Sequence, residues 1–496
     1  MTNDFYELDQ IVKTKFRDVN YVNSGDVSKA NTNTEEEHPN CTKNTRHYVK
    51  EFCNRTSIHG LNYLGEGGRP FLERIWWIVI IVVALYFCIS QILQTYDKWI
   101  NSPVIVTFAT TQTPIWSIPF PAITICPEVK SKKNLFNYTD IYLKKENDEE
   151  LTEREKMEFE YMSMVCSTDK QLLNETLNTT TEEALDFLKS VAPDLSDIMY
   201  GVKWKGTIYD DEELEDLFSP ILTSEGVCYT FNIMDRSEVF TKNVSQYKDF
   251  FSTNGKLSEW SVESGYSETA GIEAYPKRTF VAGVKGGLSL TFYVHDDDLD
   301  YICGDSLQGF KITLHHPAEI PRVKQKYFRL PLDQSIVASI KPNMMTTSED
   351  LVSYKPEDRQ CYFSSEKSLK YFNIYNQQNC LLECLTDFCL DYCGCVGFQM
   401  PRENSTPVCS AVKVECTEQA KANFLVSEVA YKIQHSRKSK NDNSHEKSAS
   451  DKCNCLPSCT SLDFDVETSQ SNWEWKKYLE VMSQTSKWDE TRELNT

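Results

Sequence analysis

Residues 75–93 read IWWIVIIVVALYFCISQIL, a run of 19 positions without one charged side chain. At about 1.5 Å per helical residue the run covers roughly 28 Å, close to the hydrocarbon thickness of a bilayer. Trp76 and Trp77 stand at one end, with Tyr96 and Trp99 just past the other, where amphipathic rings favour the headgroup level. A core helix of this length would carry polar positions along one face. A cleaved signal peptide would not have 74 residues ahead of it and no small-residue cleavage pattern behind. The expectation is a membrane-spanning helix over residues 75–95.

Working outward, positive charge sets the orientation. Arg55, Arg69 and Arg74 lie within 20 residues on the N-terminal side, against only Lys98 on the other. That asymmetry places residues 1–74 in the cytoplasm. Fifteen of the 18 cysteines follow the helix, a density that persists as disulfides only in an oxidising compartment. The same stretch carries the glycosylation triplets headed by Asn137, Asn174, Asn178, Asn243 and Asn404. Asn40 and Asn54 head such triplets too, but on the cytoplasmic side, where they go unused.

The chain of 496 residues is 40% hydrophobic, enough to bury a core, and carries a net charge of -21. Such a balance argues against a nucleic-acid partner, whose phosphates demand Lys and Arg. The acidity keeps a surface soluble; its other reading is a negative field that concentrates cations and weakens with salt. Four regions follow: a polar cytoplasmic segment (1–74), the helix (75–95), an extracellular cysteine-rich domain (96–467) and a polar tail (468–496). Residues 99–126 read as extended chain, since Pro119 and Pro121 exclude a helix near its end. Charged residues 140–164 have helical spacing, as does TEEALDFLKSV at 181–191, and a third helix starts near Asp210. GVCYTFNI, RTFVAGV, GLSLTFYVH and FKITLHH read as strands between Gly226 and His316. Residues 435–452 are a polar loop; a short strand at 461–466 precedes the tail. The class is α+β, helices around a sheet.

NCLLECLTDFCLDYCGC at 379–395 is answered by CNCLPSC at 453–459. Cys380 and Cys384 share a helix face about 6 Å apart, and Cys453 and Cys455 share a strand face at about 6.6 Å. The spacings match, so two disulfides can staple helix to strand in either pairing direction. Cys393 and Cys395 similarly face Cys409 and Cys416. Zinc ligation is the competing use of clustered thiolates; the oxidising side and the lack of paired C-x-x-C knuckles weigh against it. A stapled column resists deformation and can pass force or ligand binding down to a membrane helix.

These pieces resemble the degenerin/epithelial sodium channel family, in its pickpocket-type branch. SIHGLNYL lies before the helix, with KWINSPVIVTF and PIWSIPFPAITIC after it. GVCYTFN, LHHPAEIP, CLLECLTDFCLDYCGCVGFQMP and CNCLPSCTSLDFDVE follow in family order. The resemblance implies a plasma-membrane subunit of a homo- or hetero-trimeric, amiloride-sensitive sodium channel. Such a subunit is no enzyme: it needs no cofactor or metal, and sodium is its permeant ion. The implied fold is acid-sensing-channel-like, a β-core with peripheral helices and a thumb-like disulfide column. His59 and Gly60 match the family's His-Gly gating motif, and Tyr96 matches an aromatic where the column meets the membrane. The implied pairs are Cys126–Cys228, Cys361–Cys459, Cys380–Cys455, Cys384–Cys453, Cys393–Cys416 and Cys395–Cys409. Cys166, Cys303 and Cys389 remain unassigned, and the gating stimulus is not readable.

The family also implies a second membrane helix with a Gly/Ser-x-Ser selectivity motif near the C-terminus. Residues 460–496 show neither, so the expectation is a chain that does not conduct alone: either a product truncated before that helix or a one-helix form that can only modulate complete subunits. Two other classes compete. A type II ectoenzyme of glycosyltransferase kind would use Asp296, Asp297, Asp298 and Asp300 to hold a divalent cation; their plainer reading is an acidic turn. A cysteine-rich adhesion or receptor module is the other.

Overall fold

The computed structural model describes residues 41–101, 107–166, 168–174, 177–245, 250, 256–304, 306–437 and 453–483. The polar stretch near the N-terminus and most of the 435–452 loop lie outside them. Two units separate, Met1–Ile100 and Asn101–Thr496.

The first unit holds α1 (Cys41–Arg55), the single turn α2 (Asn62–Gly65) and α3 (Phe71–Asn101). Helix α3 outruns the apolar stretch at both ends. Pro70 precedes it, a residue whose missing N–H costs nothing where a helix begins. Glu73 in the first turn pairs with Arg69, and Lys98 sits in the last turn, each charge opposing the nearby end of the helix dipole. Residues 99–101, expected to be extended, are therefore helical. Apolar side chains are exposed along most of α3. It is the one helix among the described residues long and apolar enough to cross a membrane.

In the second unit β1 (Ala122–Pro127) runs into α4 (Tyr138–Glu146), α5 (Glu153–Met162) and α6 (Glu182–Val191). The charged run expected as one helix is thus two. Asp148 adopts a left-handed conformation, and Thr152 with Glu155 forms a capping box that starts α5 afresh. Next come β2 (Met199–Trp204), β3 (Thr207–Tyr209), α7 (Asp211–Leu217), β4 (Phe218–Thr223) and β5 (Gly226–Phe231). Strands β6 (Leu288–Phe292), β7 (Phe310–His315), β8 (Phe328–Leu330) and β9 (Gln334–Met345) follow. Helices α8 (Gln377–Cys393) and α9 (Val414–Arg437) precede β10 (Ser461–Asn472) and α10 (Trp475–Ser483).

The central sheet is antiparallel, in the order β8-β7-β1-β5-β4. Every residue of β1 is buried, which explains its continuous rather than alternating hydrophobicity. A polar line crosses this core: Thr230 Oγ1, Thr124 Oγ1 and His315 Nε2 stand 2.8 Å apart in turn. His315 Nδ1 lies 2.9 Å from the His316 carbonyl, which can only accept, so Nδ1 carries the proton and Nε2 accepts from Thr124. At the sheet's edge Glu225 binds Lys130 at 3.2 Å and Lys311 at 2.7 Å, and Glu128 binds Arg329. Burial works to raise the Glu225 carboxyl, yet the two lysines hold it below the ordinary range.

The residues read as the strand RTFVAGV form an irregular turn. The Thr279 hydroxyl donates to the Val281 and Gly286 carbonyls, and a Cβ on Gly286 would fall 1.8 Å from the Val281 oxygen. Strand β10 continues past residue 466 to Asn472, paired throughout with β9 from Met345↔Ser461 to Gln334↔Asn472. This two-stranded ribbon of roughly 37 Å leads to α10, where the sequence suggested only a polar tail.

Candidate functional site

The His59–Gly60 turn sits against α3. Gly60 has φ +93°, and a Cβ there would lie 3.2 Å from the Trp77 ring and 3.6 Å from Ile81. Only glycine combines that backbone with that approach. Tyr63 stacks on the same Trp77 ring, centroids 4.4 Å apart, and the Arg69 guanidinium lies 4.6 Å from the Tyr63 centroid. Arg69 is held at 2.8 Å by Glu66 and also by Glu73, and Arg74 donates to the Glu66 carbonyl at 3.1 Å. Gly65 brings α2 onto α1: a Cβ there would meet Asn54 Oδ1 at 2.5 Å and Cys53 Cβ at 2.9 Å. The turn is thus clamped to the first two turns of the apolar run, while His59 itself is exposed.

Tyr96 lies at the other end of α3, 55% exposed, its ring 6.0 Å from that of Trp99. A shallow groove on the helix runs beside Tyr86, Ser90, Gln94 and Asp97. This places polar groups on one flank of its C-terminal half, whereas residues 75–85 are apolar all round.

In the second unit, α8 is capped by Asn376 at its start and by left-handed Gly394 at its end. It carries the two rungs Cys380–Cys455 and Cys384–Cys453, beside Cys361–Cys459. The pairing runs antiparallel, the direction that spacing left open. Cys453 is helical and Cys455 follows left-handed Asn454, so neither lies on a strand; the bend still presents both sulfurs to α8. Cys393–Cys416 and Cys395–Cys409 tie the end of α8 to the region opening α9, and Phe388 meets Phe424 at 5.7 Å between the helices. Cys126–Cys228 joins neighbouring strands β1 and β5.

Sequence reasoning missed Cys166–Cys303, whose separation of 137 residues leaves no spacing signal. Cys389 is unpaired and fully buried among Val396, Met400 and Ala420, where burial pushes its thiol up to about 11. Asn174, Asn178, Asn243 and Asn404 are exposed; Asn137 is half-buried and caps α4 with its side-chain oxygen.

Two of the four aspartates that suggested a sugar-nucleotide site, Asp298 and Asp300, are taken up by local hydrogen bonds. Asp298 accepts from the Lys133 N–H at 2.8 Å, and Asp300 accepts from the Thr139 hydroxyl and from the Ile302 and Cys303 N–H groups. Among the described residues, no group of three or more His, Cys, Asp or Glu is placed to hold a metal.

Comparison with known proteins agrees with this architecture. The model of the amiloride-sensitive sodium channel family matches residues 52–496. Pickpocket protein 28 of Drosophila melanogaster is 26% identical over 386 residues, covering 76% of this chain and 60% of that protein. The sodium channel protein Nach of Drosophila ananassae is 24% identical, over 84% of this chain and 71% of its own. Human acid-sensing ion channel 2 is 22% identical, over 75% and 64%. The chain belongs to the amiloride-sensitive sodium channel family.

Proposed function

We propose that the chain is a subunit of a trimeric plasma-membrane sodium channel that amiloride blocks. Its N-terminus faces the cytoplasm and residues 101–496 face the exterior. The observation that carries the reading is the family match, which runs through both units from residue 52. Support comes from the exposed apolar helix α3 and from seven disulfides confined to the second unit. In this reading the ribbon and the stapled α8 column carry an extracellular stimulus toward the membrane. The Gly60 clamp on Trp77 couples the cytoplasmic segment to the same helix, and His59, Gly60 and Tyr96 set the gating equilibrium. The stimulus is an extracellular ligand or force.

The test is sodium current in oocytes expressing the chain alone, Pickpocket protein 28 alone, or both, with and without amiloride. The reading expects an amiloride-sensitive current that depends on this chain, directly or as a change in the partner's current. Surface delivery with no effect in any arm would refute it and favour an adhesion role.

A further inference from the structure

Three of the glycosylation triplets, far apart in the sequence, meet on one segment of the second unit. Asn178-Thr179-Thr180, Asn243-Val244-Ser245 and Asn404-Ser405-Thr406 converge on residues 402–410. At one end of that segment the Ser245 N–H and hydroxyl both donate to the Arg402 carbonyl, at 3.1 and 3.4 Å. At the other, Val408 and Cys409 pair antiparallel with Thr180 and Thr179, and the Ser410 N–H donates to the Asn178 carbonyl at 3.3 Å. Asn404 stands between the two contacts. The Arg402 guanidinium closes the arrangement: it is buried and donates at 2.9 Å to Glu182, just past the Asn178 triplet.

All three asparagines are exposed. Two chain steps on either side of the Ser245–Arg402 contact keep Asn243 within roughly 20 Å of Asn404, and the same count puts Asn178 within roughly 25 Å of it. The base they stand on is stiff. Cys395–Cys409 closes the segment, the Val396 N–H donates to the Pro407 carbonyl at 3.0 Å, and the Cys409 N–H donates to the Val396 carbonyl at 2.9 Å. Glycans are bulky and hydrated, so three rooted this closely crowd one face and leave little of it for protein contact. For a partner with two sugar-binding sites, the fixed spacing makes the second contact an intramolecular one.

We propose that glycans on Asn178, Asn243 and Asn404 form one carbohydrate patch over residues 402–410, a surface that a divalent lectin binds through two glycans of a single chain. Asn404, next to both of the others, is its hub. This rests on the second unit being extracellular. It goes beyond that reading by giving the glycans a shared site and a class of partner.

The test uses the full chain, made in cells restricted to oligomannose glycans and held sparsely on a surface in micelles. An N137Q/N174Q background leaves these three acceptors in the unit. The probes are a dimeric mannose-specific lectin and its monomeric form, and peptide mass reads the occupancy of each site. The dimer is expected to bind about 100-fold more tightly than the monomer. N404Q removes both close pairs and should abolish most of that advantage, whereas N178Q and N243Q each leave one close pair and should keep most of it. Variants with a single acceptor should bind dimer and monomer alike. The substituted side chains are exposed, so monomer affinity for each remaining glycan should not change. Equal binding of dimer and monomer by the three-acceptor chain, or an equal fall for all three substitutions, overturns the proposal in favour of scattered glycans. An advantage that survives in single-acceptor variants overturns it in favour of bridging between chains, and an unoccupied Asn404 removes the hub. No glycan at any of the three sites would instead sink the extracellular reading, and this proposal with it.

Discussion

The nested rungs of the α8 column predict a specific non-additivity. Cys384–Cys453, Cys380–Cys455 and Cys361–Cys459 close separations of 69, 75 and 98 residues, each inside the next. Treated alone, a 69-residue loop stabilises by about 4.4 kcal/mol through unfolded-chain entropy. Inside a ladder, however, a rung restricts only the ring between itself and its neighbour. For the two inner rungs that ring spans roughly six residues, and the same relation yields about 2 kcal/mol for removing either one. Removing both opens the ring back to Cys361–Cys459 and costs about 5.6 kcal/mol, more than 1 kcal/mol beyond the sum of the singles. The perturbations are C380A/C455A, C384A/C453A and the quadruple variant. The assay is urea unfolding of the full chain in micelles without reductant, followed by tryptophan fluorescence, since Trp204 and Trp260 are buried. Single losses near 4 kcal/mol, or a quadruple loss equal to their sum, would refute the nesting argument.

Three other perturbations read different parts of the molecule. Gly60→Ala forces a Cβ against Trp77 from a backbone that L-residues avoid, about 1–2 kcal/mol; exchange at residues 58–64 should quicken roughly tenfold, whereas His59→Ala should leave it unchanged. Glu225→Gln leaves Lys130 buried with the Pro127 carbonyl at 2.8 Å and, as its remaining carboxylate, Glu128 at 4.0 Å, so unfolding free energy should fall by roughly 3 kcal/mol; a change under 1 kcal/mol would mean the cluster is hydrated. Burial lowers His315 to about 4 and His316 to about 3, and raises Glu319 to about 7. Between pH 4.5 and 6.5 the unfolded chain therefore binds both histidine protons while the folded chain keeps one on Glu319. From this cluster, stability should drop as pH falls, by about 1.4 kcal/mol per unit for the net proton, and E319Q should roughly double the slope.

What the sequence revealed follows the range of the forces involved. The long apolar helix was legible because a charge-free run of 19 residues is a local signal. Its ends were not, since Arg69, Glu73 and Pro70 extend the helix by capping rather than by hydrophobicity. The facing spacings of Cys380 and Cys384 with Cys453 and Cys455 were readable, but their direction depends on how the chain returns from α9. That helix passed unnoticed: its first half packs on α8, while Leu425, Val426, Val429 and Ile433 farther along are exposed, so no continuous buried face marks it. The polar end of β10 carries no alternation because its last residues are exposed on both faces, and only pairing with β9 makes it a strand. The turn at 278–287 was mistaken for a strand on its Val and Phe content, although Gly283, Gly286 and Gly287 permit a fold-back that side-chain bonds then fix. For the candidate gating residues, position before the helix singled out His59–Gly60; the stacking partners Trp77 and Tyr63 emerged only in three dimensions.

The central claim is that α3 crosses the bilayer once, with the disulfide-bonded unit outside. Its most direct test is glycosidase-sensitive mass on the chain expressed in cells, followed through Asn→Gln substitution of each triplet. The account predicts a shift that falls stepwise as Asn174, Asn178, Asn243 and Asn404 are replaced. Modification at Asn40 or Asn54 instead, or none anywhere, would contradict it.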